Sequence, residues 1–180
     1  MSEVNSLSFE ENIDSTIEVH RNRKYEPLVS KLCTEKHPVT KKPLFTFNKD
    51  LMVFAAMVGY TFDELEEVED TSIKITLQTY GTDNKDSYIY LLALMEQKHK
   101  EEESGEEGAG SHILKNDSIR QSVKPFERYC NGGLKLIKQW FDENPGEIDP
   151  ANILTNKLWE QLQKDHNVSI ETPDPTDVQF

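Results

Sequence analysis

Phe45-Thr-Phe-Asn-Lys-Asp-Leu-Met-Val-Phe-Ala-Ala-Met-Val-Gly-Tyr60 is the stretch on which the fold turns. Leu51, Phe54, Ala55 and Val58 recur at helical spacing, and Met52, Ala56 and Met57 make the segment apolar almost all round. A helix of that kind has no face to offer water, so it belongs at the centre of a core. Thr46 or Asn48 is expected to cap its start, and Asp50 suits the positive end of its dipole. Gly59 reads as a left-handed stop.

Upstream, Tyr25, Leu28, Val29 and Leu32 predict a helix from Tyr25 or Glu26 to about Glu35, with Pro27 in its first turn. His37-Pro38 and Lys42-Pro43 mark a loop. Downstream, the acidic run Asp63–Asp70 reads as a helical turn or an exposed loop. Ile73, Ile75 and Leu77 then alternate with Lys74, Thr76 and Gln78, the pattern of a half-buried strand. Its candidate mate is Lys42–Phe47, so the sheet is either tiny or completed by another chain.

Thr82-Asp83-Asn84 predicts a turn into a helix over Asp86–Lys98, with Tyr88, Leu91, Leu92 and Met95 as its buried stripe. Residues 100–111 read as a solvated Glu/Gly linker. Another helix carries Ile119, Val123, Phe126 and Tyr129, with Pro125 straining its middle. Asn131-Gly-Gly133 either ends it or lets two helix segments approach closely. Leu134, Ile137, Trp140 and Phe141 continue the stripe, and Asp149-Pro150 starts a last helix to about Lys164. The expectation is a mainly α protein: one compact helical domain over 17–165, of about five helices with at most a small two-stranded β element. A flexible lead-in (1–16) and tail (166–180) flank it.

Only 36% of the 180 residues are apolar, against roughly 45–50% in globular chains counted with glycine, so part of the length is expected outside the core. No run approaches the ~20 apolar residues that span a bilayer. Met1-Ser-Glu-Val-Asn-Ser lacks a signal-peptide pattern, and Cys33 and Cys130 are far apart, so buried thiols in a cytoplasmic, reducing compartment are expected. The net charge of −13 argues against a surface that grips nucleic acid everywhere. The charge is nonetheless uneven. His20–Lys49 holds eight basic and two acidic residues. Arg21, Arg23, Lys24, Lys31, Lys41, Lys42 and Lys49 are therefore candidates for a DNA-facing or partner-facing edge, against the plainer reading of a solvated lysine-rich helix and loop.

Chemistry is sparse. His20, His37, His99, His112 and His166 have no helical i, i+4 partner and no neighbouring cysteine, so no metal site and no cofactor are expected. Phosphate-cradling and nucleophile-elbow motifs have no counterpart. The acidic residues of 63–70 follow one another along one segment, whereas an acid–base dyad needs carboxylates converging from opposed elements. Phe126-Glu-Arg-Tyr129 reads as core aromatics with the two charges in water, or as Glu127 and Arg128 held at a partner surface. Tyr80, Tyr88 and Tyr90 beside Lys74 and Lys85 read as core rather than as a base-stacking surface.

Lys49-Asp-Leu-Met-Val-Phe-Ala-Ala-Met-Val-Gly-Tyr60, Asp86-Ser-Tyr-Ile-Tyr-Leu-Leu-Ala-Leu94 and Phe126-Glu-Arg-Tyr-Cys-Asn-Gly-Gly-Leu134 together resemble the bacterial DNA phosphorothioation-associated (Dnd system-associated) protein 4 family, over about Tyr25–Leu154. The resemblance implies work beside the machinery that replaces a non-bridging phosphate oxygen with sulfur, or beside the linked restriction machinery that attacks unmodified invading DNA. It carries over no catalytic residue. It implies a non-enzymatic accessory or adaptor protein of an antiviral defence system, with other proteins of that system as partners and DNA as a candidate contact of the basic segment. The alternatives are a metal-dependent nuclease-like subunit with its Mg²⁺ at the acidic run, or a small DNA-binding regulator that dimerises through the strand at 73–77.

Overall fold

Two short strands, Glu18–Asn22 (β1) and Ser72–Thr76 (β2), pair antiparallel with Val19 opposite Ile75 and Arg21 opposite Ile73. The structure, a computed structural model, describes residues 17–37, 40–104 and 116–166. A 3-10 turn at Arg23–Tyr25 leads from β1 into α1 (Glu26–Cys33), followed by α2 (Asn48–Thr61), β2, α3 (Leu77–Gly81), α4 (Asp86–Ser104), α5 (Asn116–Glu143) and α6 (Pro150–His166). The fold is mainly α with one two-stranded sheet, as the sequence predicts. No helix among the described residues is long and apolar enough to cross a membrane.

The mate of β2 is not Lys42–Phe47 but Glu18–Asn22, a stretch whose polar residues Glu18, His20 and Asn22 alternate with Val19 and Arg21. The alternation was hidden because the inward position after Val19 is an arginine. Leu77 keeps the inward phase of Ile73 and Ile75 but already begins α3, and it is fully buried there. In α4 the buried positions are Ile89, Leu92 and Ala93, while Tyr88 and Leu91, read as core from the sequence, are exposed. Residues 100–104 continue α4, and residues 105–111 of the expected linker lie outside the described residues, as do 1–16 and 167–180. Both cysteines are free thiols; Cys130 is fully buried as expected, whereas Cys33, at the end of α1, is only half-buried.

α2 is central, with Leu51, Met52, Ala55 and Ala56 wholly inaccessible. Neither Thr46 nor Asn48 caps it, since Phe47 occupies the N-cap with no side-chain hydrogen bond. Gly59 does not stop it either. The left-handed residue that closes α2 is Asp63 (φ 51°), where Glu64 N–H bonds the Gly59 carbonyl at 2.8 Å and Asp63 N–H bonds that of Tyr60 at 3.2 Å. That is the double bond pattern of a Schellman end, and aspartate tolerates the left-handed position better than most residues.

Gly59 is needed for another reason. A Cβ on Gly59 would stand 2.0 Å from the Tyr129 carbonyl oxygen, and one on Gly133 would stand 1.8 Å from that of Ala55. The backbones of α2 and α5 therefore touch, with a glycine on each side of the crossing. Gly132 plays the same part for the following loop, since its Cβ would meet the Glu64 carbonyl oxygen at 2.0 Å. α5 runs through both Pro125 and Asn131-Gly-Gly133 without ending, so the glycines serve close approach and the proline does not shorten the helix.

The chain divides into two compact units after Gln139. In the second, Asp149 caps α6 by accepting from Ala151 N–H at 2.9 Å, and Lys157 lies 3.4 Å from Glu143. Substituting Gly133→Ala or Gly59→Ala is expected to lower stability by at least about 2 kcal/mol, because backbone atoms must move apart. Gly146→Ala, with nothing within 4 Å, should stay within about 0.5 kcal/mol. Chemical denaturation of the three variants checks both.

Candidate functional site

β1 has two edges, and one of them is closed by side chains rather than by a strand. Arg23 N–H bonds the Thr71 carbonyl and Leu77 N–H bonds that of Ile17, which fixes odd-numbered residues of β1 as those facing β2. His20 and Asn22 therefore face the other way. His20 N–H donates to Glu127 Oε1 at 2.6 Å, and Asn22 N–H donates to Asn131 Oδ1 at 2.8 Å. The match is geometric: four residues of helix rise about 6.0 Å, and two residues of strand rise about 6.6 Å. Asn131 Nδ2 donates to the Glu127 carbonyl at 2.9 Å, which holds the pair in place.

Beside this seam lies a cleft of about 270 Å³, lined by Ile17 just before β1, by Glu18 and His20 of β1 and by Arg120, Val123, Lys124 and Glu127 of α5. The α5 residues share one face because they stand three and four apart. Glu127 is 9% exposed. Burial pushes its carboxyl up to about 7, against the opposing pull of the His20 N–H and Lys124. The His20 ring is fixed by Ser72 Oγ at 3.1 Å, with Glu18 Oε2 3.7 Å from its other nitrogen. Glu18 bonds Lys74 at 2.8 Å, and that bond keeps its carboxyl below the usual range. The cleft thus presents both signs of charge and one carboxyl that exchanges a proton near neutrality, a setting suited to a polar or charged side chain.

The sequence-predicted basic edge is only partly on the surface. Arg21 is fully buried, with Nη2 paired to Glu26 and with Nε and Nη1 lacking a hydrogen-bond partner among the described residues. Lys49 is buried too, its Nζ 3.0 Å from the Thr79 carbonyl, 2.9 Å from Thr82 Oγ1 and 3.0 Å from Asp83. Lys24 sits between Glu66 at 2.8 Å and Glu69 at 2.6 Å. Arg23, Lys31, Lys41 and Lys42 are exposed. Arg21 and Lys49 are therefore corrected from edge to interior, each placed by an alternation or a helix face that the charge count ignores.

The acidic run is a loop whose carboxylates are distributed among different partners. Lys135 donates to Glu64 at 2.6 Å, and Glu67 forms an ion pair with Arg128 at 2.8 Å without hydrogen-bond alignment. Glu66 accepts from Asn22 Nδ2 at 2.8 Å and from the Tyr25 hydroxyl at 2.6 Å. Burial raises the Glu66 carboxyl, but Lys24, Tyr25 and Asn22 outweigh it and hold it below the usual carboxylate range. Among the described residues, no group of three or more His, Cys, Asp or Glu could hold a metal ion. The sequence reading missed the cleft because its acid, Glu127, stands between core aromatics and was read as solvated or partner-facing. The 120/124/127 spacing was the available signal.

Glu127 gives a pH signature. Its folded pKa of about 7 lies above the ordinary 4.5. Its contribution to stability is complete below pH about 4.5 and is lost as pH rises through about 7, a total of up to about 3 kcal/mol. Glu127→Gln, which still accepts the His20 N–H but cannot ionise, should flatten unfolding free energy over that window and exceed the parent above it. Urea titrations between pH 4.5 and 8 read this directly.

Comparison with known proteins completes the site's context. No curated protein and no solved structure matches. The family model described as DNA sulphur modification system-associated protein 4 matches residues 18–172. That span runs from the first residue of β1 to beyond α6 and includes the glycine crossing, the acidic loop and every cleft residue but Ile17. With most of its length covered in this way, the chain belongs to the DNA sulphur modification system-associated protein 4 family.

Proposed function

We propose that the protein is a non-enzymatic adaptor of a bacterial DNA sulphur modification system and its linked restriction machinery, acting in the cytoplasm by joining other proteins of that system. The observation that carries the reading is on α4. Ile89, Leu92 and Ala93 are buried, yet Tyr88, Leu91 and Leu94 are 41%, 43% and 46% exposed. The three stand at successive intervals of three residues, so they form one apolar row on the side opposite the core. A contiguous apolar row on a helix already anchored by its other face is the usual form of a protein-binding surface. The acidic loop adds support, because its carboxylates bind Lys24, Arg128 and Lys135 rather than converging on a reaction centre.

The basic segment keeps a role in this reading through Arg23, Lys31, Lys41 and Lys42, which are exposed and face DNA or an acidic partner surface. Leu91→Glu with Leu94→Glu is expected to weaken binding to purified proteins of the sulphur modification system at least about tenfold. The same pair should change stability by less than about 1 kcal/mol, since both side chains are already half in water. Undiminished binding by the folded double variant contradicts the assignment of α4. Loss of DNA binding on Lys41→Glu with Lys42→Glu, with a shallower salt dependence, would assign the basic residues to phosphate.

A further inference from the structure

The sheet has an open side. On β1 the outward N–H groups of His20 and Asn22 are taken by Glu127 and Asn131. On β2 the pairing puts Ile73 and Ile75 toward β1, so the backbone N–H and C=O groups of Ser72, Lys74 and Thr76 point away from it. Among the described residues the Thr76 carbonyl is taken by the first turn of α3, while the outward groups of Ser72 and Lys74 and the Thr76 N–H have no partner, and the side chains of Lys74 and Thr76 are exposed. Ile73 and Ile75 lie on the core face with Val19, yet they are only half-buried where Val19 is inaccessible. A missing neighbour strand leaves this pattern: unpaired backbone along the edge and apolar side chains covered from one side only.

We infer that the outer edge of β2 receives an extended segment of a partner protein as a third strand. The inference rests on the adaptor reading and names how one of its partners binds. The occupant's chemistry follows from the edge. Apolar residues at alternate positions would lie beside Ile73 and Ile75 and extend the apolar face. A carboxylate would lie opposite Lys74, whose side chain is 54% exposed and engages Glu18 on its β1 side only. A second copy of this chain fits poorly. The symmetric antiparallel register that pairs the whole edge sets Lys74 against Lys74 of the copy, and like charges directly opposite repel. Edge lysines discourage such self-pairing.

Lys74→Pro isolates the edge, because it removes an outward N–H and leaves the bonds between β1 and β2 intact. The probes are the purified proteins of the sulphur modification system, tested one by one with the full chain. The expected result is one protein bound by the parent and bound at least about tenfold more weakly by Lys74→Pro. Hydrogen exchange in the parent complex should slow at the Ser72, Lys74 and Thr76 amides, a reading that does not depend on the variant's folding. Equal binding by the folded variant, with those amides unprotected, overturns the inference while leaving the adaptor reading intact. No binding by any protein of the system overturns both. Self-association of the parent that Lys74→Pro abolishes overturns the choice of occupant in favour of a second copy.

Discussion

Everything else in the first unit hangs on the contact between α2 and α5, where two helix backbones meet with Gly59 on one side and Gly133 on the other. Side chains normally hold packed helices about 8–10 Å apart, and a crossing this close exists only where the Cβ atoms are missing. The approach fixes α5 against the most apolar helix in the chain and buries Phe126, Cys130, Leu134 and Ile137 along it. It also explains why α2 must end in a left-handed aspartate: the glycine within reach of its end is already committed to the crossing.

Once α5 is fixed, its remaining faces decide the rest of the surface. Gly132 admits the loop that follows α2, and Arg128 and Lys135 tie that loop down through Glu67 and Glu64. Glu127 and Asn131 close one edge of β1. The consequence is an asymmetric two-stranded sheet, sealed by a helix on one side and, among the described residues, open on the other. Two strands alone are marginal in water, so the core face of this sheet depends on packing by α5 and its neighbours. The outer edge of β2 and the apolar row of α4 are the places where that packing stops.

The sequence discloses the helical framework well because periodicity is local. α2, α4, α5 and α6 follow from apolar spacing, and Asp149-Pro150 marks the start of α6 through chemistry that acts within three residues. What it hides is what depends on distant partners. β1 is invisible because its inward position is Arg21, an arginine neutralised by Glu26 and lying inside the fold. Lys49 reads as surface charge until the Thr79 carbonyl and Asp83 are seen around it. Tyr88 and Leu91 read as core because hydrophobicity alone cannot tell an inner stripe from an exposed one. Glu127 sits between two buried aromatics, and only the position of β1 shows that it is buried as well.

On a framework locked by glycine, this family member carries an apolar helix row, a strand edge open among the described residues, a mixed-charge cleft and a set of exposed basic residues. Such an inventory is what the proposed adaptor role requires. Affinity purification of the tagged chain from its native cells, with and without nuclease treatment, tests that claim most directly. Proteins of the sulphur modification or restriction machinery are expected to remain bound after the nucleic acid is digested. Recovery of nucleic acid alone, or of no protein from that system, would contradict it.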